Sequence, residues 1–123
     1  MNYTNKKNKK FMAPLNALER LKKAANLEPI KKEVTLSDGS PFTMYVTPLT
    51  MAERERAQRQ ARSDDTNAFA LQLLINKALD ENGQRLFKAG EIDILKNEVK
   101  DSDLQVLMLA VINAEEDEAV DPK

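Results

Sequence analysis

Residues 66–87 read TNAFALQLLINKALDENGQRLF and hold the second longest apolar run of the chain. Their apolar side chains recur three and four positions apart, which gives a helical stripe wide enough to be buried on most sides. These side chains are Phe69, Leu71, Leu73, Leu74, Ile75, Ala78 and Leu79. Asn82-Gly83 supplies the left-handed residue that commonly ends such a helix. The stretch therefore predicts a central core helix, after which Leu86-Phe87 turn the chain back.

The composition indicates one globular domain. The chain has 123 residues, of which 41% are hydrophobic and 32% charged, enough for one modest core. It contains no Cys, which excludes disulfides and thiolate ligands, and no His, the commonest general base and metal ligand at neutral pH. No apolar run approaches the ~20 residues of a membrane span, and the N-terminus has no apolar secretory signal. We expect a cytosolic protein without a cofactor, a metal or a membrane partner.

The two ends of the chain carry opposite charge. Residues 1–32 hold nine Lys or Arg and two Glu, whereas the remainder holds ten Lys or Arg and eighteen acids. The lysine-rich start, MNYTNKKNKKF, and the acidic end, EEDEAVDPK, show no hydrophobic periodicity. We therefore expect a disordered basic arm at 1–12, a single α+β domain at 13–114 and a disordered acidic tail at 115–123.

A short amphipathic helix is predicted at the start of the domain. Pro14 suits its first turn, and the helix extends to about Leu27. One face carries Leu15, Leu18, Leu21 and Ala25. A helix this short is marginal alone, so it must pack on the body or on a partner.

Residues 33–47 predict an antiparallel β-hairpin around the turn sequence SDGS. A two-residue loop would put Phe42 and Met44 on the face opposite Val34. A longer, bulged or five-residue turn that pairs Val34 with Met44 puts the apolar residues on one face, and we expect that register. The other face is expected to be exposed to solvent. It carries Thr35, Thr43, Tyr45 and Thr47. The edges of so small a sheet are open to a partner's strand or to self-association.

The segment between the hairpin and the core helix predicts a polar surface helix. Thr50 and Glu53 match a capping box that opens the sequence AERERAQRQAR. Residues 63–66 either interrupt this helix and cap the core helix, or lie within one bent helix from 50 to 79.

Nucleic-acid binding is weakly supported by the basic residues. Arg54, Arg56, Arg59 and Arg62 could form a phosphate-binding stripe, but at about 100° per residue they spread around the helix. In the basic arm only Tyr3 and Phe11 could stack on bases. A solvated helix and a solvated arm are the favoured interpretation.

Two further helices follow the core helix. Gly90-Glu91 begins the first, whose apolar face carries Ile92, Leu95 and Val99. We expect Asp101-Ser102-Asp103 to cap the second, which is apolar on all sides as far as Ile112. Such a helix lies in the core or also supplies an oligomer interface. Together the elements predict a mostly helical α+β fold, with a short N-terminal helix and a small hairpin packed on a bundle of about four helices.

No stretch of the sequence predicts catalysis. The segment DENG resembles part of a calcium loop, but with its glycine sixth, Ala78 and Ala89 take the positions of the two obligatory carboxylates. The acidic pairs in the predicted cap and tail cannot form the dry pocket that acid–base catalysis needs. Three glycines in the whole chain leave no phosphate-binding loop. We expect a protein that is not an enzyme.

Six short motifs follow one another between Leu15 and Ile112. They are LERLKKA, EVTLSDGS, MYVTPLT, the junction LTMAERE, LDENGQRLF and GEIDIL. This order resembles the tail assembly chaperones of tailed bacteriophages, small proteins encoded just before the tape measure protein. Where such proteins often have Ser or Thr before the helix acids, this chain has Ala89-Gly90.

The resemblance implies a non-catalytic chaperone of the host cell cytoplasm that is not part of the mature virion. Such proteins bind the tape measure protein, keep it soluble and recruit tail tube subunits. Alternatives are a structural tail or head–tail adaptor retained in the virion and, less favoured, a small nucleic-acid-binding regulator. We expect partner binding, and possible homo-oligomer formation, at the hairpin edge and the last two helices. The candidate residues are Phe42, Met44, Val46, Ile92, Leu95, Leu107, Met108 and Val111.

Overall fold

The computed structural model describes residues 16–62 and 64–115. The predicted basic arm, Pro14, Leu15, Ser63 and all but the first residue of the predicted acidic tail lie outside the described residues. The described elements are α1 (Ala17–Ala24), β1 (Ile30–Thr35), β2 (Pro41–Val46), α2 (Met51–Ala61), α3 (Thr66–Lys77), a 3-10 turn (Ala89–Glu91), α4 (Ile92–Glu98) and α5 (Asp101–Ile112). The two strands form one antiparallel hairpin. The predicted mostly helical α+β fold is confirmed.

The core is built around α3, as its apolar pattern predicts. Leu74 and Ile75 are fully buried, and the helix packs against both α2 and α5. Other buried apolar residues are Met44 and Val46 from β2, Ala57 from α2, Leu95 from α4, and Leu104, Leu107, Met108 and Val111 from α5. One small core therefore joins the hairpin to the four helices that follow it.

The hairpin has the predicted apolar face but a different register. Val34 pairs with Phe42, and Lys32, not Val34, lies opposite Met44. This shift of two residues keeps the same side chains inside, because strand side chains alternate with a period of two. Five residues, 36–40, connect the strands, as in the predicted five-residue turn, and Gly39 has φ +88°. Lys32 is tolerated on the buried face because its ammonium group reaches the Asn113 carbonyl at 3.4 Å.

The core helix α3 ends earlier than predicted. Its last residue is Lys77, and the chain is extended from Ala78 instead of remaining helical toward Gly83. Leu79 then pairs with Tyr45 on the outer edge of β2, through two backbone hydrogen bonds of 2.8 and 2.9 Å. Gly83, at φ +82°, belongs to the turn that follows. On the face predicted to be exposed to solvent, Thr35 is exposed, whereas Thr43, Tyr45 and Thr47 are half-buried.

Two separate helices, α2 and α3, replace the alternative of one bent helix. The Thr50 hydroxyl accepts from the Glu53 N–H at 3.2 Å, and the Glu53 carboxylate accepts from the Thr50 N–H at 3.1 Å. The predicted capping box is therefore confirmed. At the junction Arg62 adopts a left-handed conformation with φ 54°, and Asp65 caps α3 by accepting from the Asn67 N–H.

The start of α5 differs from the prediction. Asp101-Ser102-Asp103 form its first turn instead of its cap, and Lys100 precedes them without a side-chain cap bond. The Asp103 carboxylate accepts from the Ser37 N–H at 2.7 Å and from the Ser37 hydroxyl at 2.8 Å. The side chain that was expected to cap the helix therefore fastens the hairpin turn to the beginning of α5.

The N-terminal helix α1 does not pack on the bundle. Asn16 caps it by accepting from the Glu19 N–H at 2.8 Å, and none of its residues is buried. Leu18 and Leu21 are 66% and 69% exposed. The described body thus leaves this apolar face uncovered, and packing on a partner stays a prediction.

Candidate functional site

Most side chains predicted to bind a partner are part of the core. Met44, Val46, Leu95, Leu107, Met108 and Val111 are at most 5% exposed. Phe42 and Ile92 are half-buried, and the Phe42 ring stacks on Phe87 with centroids 6.4 Å apart. Side chains buried to this degree have almost no surface for a partner in this conformation. Their role in binding is still a prediction, and a partner would first meet the surfaces around them.

A groove of about 350 Å³ opens where α2, α3, α4 and α5 meet. Apolar side chains line its floor: Ala68, Leu71, Ile92, Leu104 and Met108. Two of the predicted binding residues, Ile92 and Met108, are thereby brought together. We call this site the interhelical groove.

Polar side chains surround the apolar floor of the interhelical groove. They are Gln60, Asp65, Asn67, Lys96, Asp101 and Gln105, whereas Gln72, which also lines the groove, is buried. An apolar floor with a polar rim suits an amphipathic helix, which can bury its apolar side chains and keep its polar ones at the edge. The sequence alone could not reveal the groove, because its lining comes from four helices that are distant along the chain.

One wall of the interhelical groove is held by a hydrogen-bond network between α2 and α3. The Asn76 amide donates to Gln60 Oε1 at 2.7 Å, and Asn76 Oδ1 accepts from Gln72 at 3.2 Å and from Arg85 at 3.0 Å. Gln60 and Gln72 both line the groove. The network therefore fixes the spacing of these two helices at the groove.

A second apolar surface lies on the outer side of α5. Val106, Leu109 and Ile112 are 38%, 55% and 42% exposed and recur at a spacing of three residues. We call them the outer α5 face. The sequence predicted an interface on this helix but assigned it to residues that prove to be buried. Periodicity could not identify the exposed side, because the helix is apolar all round.

The open edge predicted for β2 is partly occupied within the chain, since Leu79 bonds to the backbone of Tyr45. Over residues 16–62 and 64–115 there is no acidic cluster arranged to hold a metal ion. Within the same residues no helix is long and apolar enough to span a membrane. The apolar surfaces described so far are the interhelical groove, the outer α5 face and the exposed face of α1.

A protein-family model described as "Phage tail assembly chaperone, TAC" matches residues 16–115. The matched range contains every helix and strand from α1 to α5. No curated protein and no solved structure gave a significant match to the chain.

Proposed function

Because the chain belongs to the phage tail assembly chaperone family, we propose that it binds the tape measure protein and keeps it soluble during tail assembly. It then brings tail tube subunits to this complex and is lost before the tail is complete. The protein acts by binding, without catalysis, in the cytoplasm of the infected cell. The expected partner is long, helical and prone to aggregate.

The interhelical groove is the observation that supports this proposal best. An amphipathic helix can lay apolar side chains on Ala68, Leu71 and Ile92 while its polar side chains meet the rim. A groove of this kind can take successive helical segments of one long partner, which a chaperone that coats the tape measure protein requires.

The outer α5 face gives the proposal a second surface. Leu104 and Met108 contribute to the interhelical groove, whereas Leu109 lies on the exposed side of the same helix. A partner at this face would leave the groove open. We assign the tail tube subunits to this face, so that the protein holds both partners at once.

The test is co-expression of the full-length chain with the tape measure protein of the same phage, followed by size exclusion. We expect the tape measure protein to become soluble only in the presence of the chaperone, and both to elute in one complex. We expect mass spectrometry to detect no chaperone in purified virions.

Two outcomes would contradict the proposal. If the tape measure protein stays insoluble while the chain elutes alone, the chaperone activity toward that partner fails. Stoichiometric recovery of the chain in purified virions would instead support a structural tail or head–tail adaptor.

A further inference from the structure

Every second residue of β1 turns its backbone groups away from β2. The Leu36 N–H donates to the Ser40 carbonyl at 2.8 Å, which makes this the first bonded pair of the hairpin. Bonded and non-bonded pairs alternate in an antiparallel ladder, so the position of this pair decides which residues of β1 point outward. The outward residues are Lys31, Glu33 and Thr35.

The outer edge of β2 is closed, whereas the outer edge of β1 is open. Tyr45 of β2 exchanges two backbone hydrogen bonds with Leu79 on the side away from β1. In the described part of the chain, no hydrogen bond occupies the outward backbone groups of Lys31, Glu33 or Thr35. The side chains of these three residues are exposed. The edge of β1 is therefore available for pairing with a further strand.

The sequence of this edge matches itself in an antiparallel arrangement. When two copies meet on a two-fold axis at Lys32, Lys31 of each copy lies opposite Glu33 of the other. Opposite charges then face each other twice on the exposed side of the sheet. On the inner side, Ile30 lies opposite Val34 of the second copy, so both faces of the strand pair are matched.

The neighbouring registers lack this match. An axis at Glu33 would place two carboxylates opposite each other, and an axis at Lys31 would do the same with two ammonium groups. An axis at Val34 would require the backbone of Ser37, whose N–H already donates to Asp103. Only the axis at Lys32 pairs opposite charges without using an occupied backbone group.

Lys32 meets its own copy at this axis, on the inner face of the sheet. Its ammonium group contacts the Asn113 carbonyl of the same chain at 3.4 Å. Asn113 lies at the carbonyl end of α5, where the helix carries partial negative charge. This charge offsets part of the repulsion between the two ammonium groups.

We propose that two copies of the chain pair through β1 in this register, which joins their hairpins into one four-stranded antiparallel sheet. The pairing uses no residue that lines the interhelical groove. A strand pair of this length buries little surface, so we expect the dimer to form only at high protein concentration. Copies bound side by side on one long tape measure protein reach such a concentration, and in this respect the inference rests on the proposed function.

Charge reversal in the full-length chain tests the register. Lys31→Glu and Glu33→Lys each place like charges opposite each other in a homodimer, and we expect each to weaken self-association at least about tenfold. An equimolar mixture of the two variants brings opposite charges together at both pairs, so we expect a heterodimer as strong as the wild-type dimer. Sedimentation over a concentration series at low salt measures all three. Lys88→Glu, at an exposed position outside β1, is the control and should associate as the wild type does.

Glu33→Pro tests the backbone pairing separately from the charges. Proline removes the outward N–H of this residue, which the hairpin itself does not use. We expect weaker self-association than in the matched variant Glu33→Gln, which removes the same charge but keeps the N–H. Circular dichroism first confirms that both variants are folded.

Four results would overturn the proposal. They are a wild-type chain that stays monomeric at every concentration, charge variants that each associate as strongly as the wild type, a mixture that associates no better than its components, and equal association of Glu33→Pro and Glu33→Gln. None of these experiments contains the tape measure protein, so this inference and the proposed function can fail separately.

Discussion

The ammonium group of Lys77 lies 2.6 Å from Glu53 Oε1, and this ion pair connects the end of α3 to the beginning of α2. The Lys77 side chain is 4% exposed and that of Glu53 33% exposed. Lys77 also donates to the Thr47 hydroxyl at 2.8 Å and to the Pro48 carbonyl at 3.3 Å. One buried cation thereby joins both helices to the segment that leaves the hairpin.

Replacement of Lys77 by Met is expected to destabilise the fold. It leaves the Glu53 carboxylate and the Pro48 carbonyl without their donor, which we expect to lower the free energy of unfolding by about 1–3 kcal/mol. Urea unfolding followed by circular dichroism measures this change. Lys31→Met, at an exposed position of β1, should shift the free energy by less than about 0.5 kcal/mol. Equal midpoints for the two variants would show that the ion pair has no structural role.

The stability contributed by Glu53 is expected to depend on pH. Burial raises the pKa of this carboxyl, but the hydrogen bonds from Lys77 and the Thr50 N–H outweigh burial and hold the pKa below its ordinary value of 4.5. A lowered folded-state pKa gives stability that is present above 4.5 and lost as pH falls through the folded-state value.

Glu53→Gln isolates this effect, because Gln can still form the capping box. The variant should be less stable than the wild type at pH 7, and the difference should shrink as pH falls below 4.5. Thermal unfolding from pH 7 to pH 3 measures both, with Glu55→Gln on the exposed part of α2 as the control. If the stability difference between Glu53→Gln and the wild type stays constant over this pH range, the ion pair does not contribute to stability.

Asp103 is expected to order the hairpin turn. Asp103→Ala removes the acceptor for the Ser37 N–H and hydroxyl, and should lower stability by about 1 kcal/mol. Amide exchange at Ser37 should become faster. Asp101→Ala removes the same charge from the same helical turn without touching Ser37. If both variants protect the Ser37 amide equally, the contact does not hold the turn.

Two apolar positions with different exposure are expected to respond differently to truncation. Met44→Ala should lower the free energy of unfolding by about 3 kcal/mol, because the Met44 side chain is fully buried on the inner face of the hairpin. Leu109→Ala on the outer α5 face should change stability by less than about 0.5 kcal/mol. Chemical unfolding of both variants checks the assignment of core and surface. If Leu109→Ala lowers stability as much as Met44→Ala does, the outer α5 face is covered within the chain.

The order of the elements and the location of the core could be predicted because the apolar periodicity is strong. The capping box at Thr50 and the core helix from Thr66 were predicted from side chains that act within one or two turns of each other. Contacts between distant segments could not be predicted in the same way. In the hairpin, Lys32 lies opposite Met44 and contacts the distant Asn113 carbonyl. After α3 ends at Lys77, Leu79 pairs with β2.

The candidate site was predicted only in part for the same reason. The sequence identified the last two helices, and Ile92 and Met108 do line the interhelical groove. Lining residues also come from α2 and α3, and periodicity could not predict that these two helices lie opposite α4 and α5. The exposure of α1 could not be predicted either. Its amphipathic pattern indicates that the helix packs on a surface, but it does not identify that surface.

The proposed binding of a tape measure helix in the interhelical groove can be tested on the groove floor. Ile92→Glu places a charge on the groove floor, whereas Ile94→Glu makes the same change at a position of α4 that is 50% exposed and outside the groove. Thermal unfolding first confirms that both variants are folded. Ala68→Leu narrows the groove without a charge and serves as a second test if Ile92→Glu unfolds.

The decisive measurement is the soluble fraction of the tape measure protein on co-expression with each variant. We predict that Ile94→Glu keeps the partner soluble as the wild type does, and that Ile92→Glu or Ala68→Leu leaves it in the pellet. Equal soluble fractions with folded groove variants and with Ile94→Glu would contradict the account.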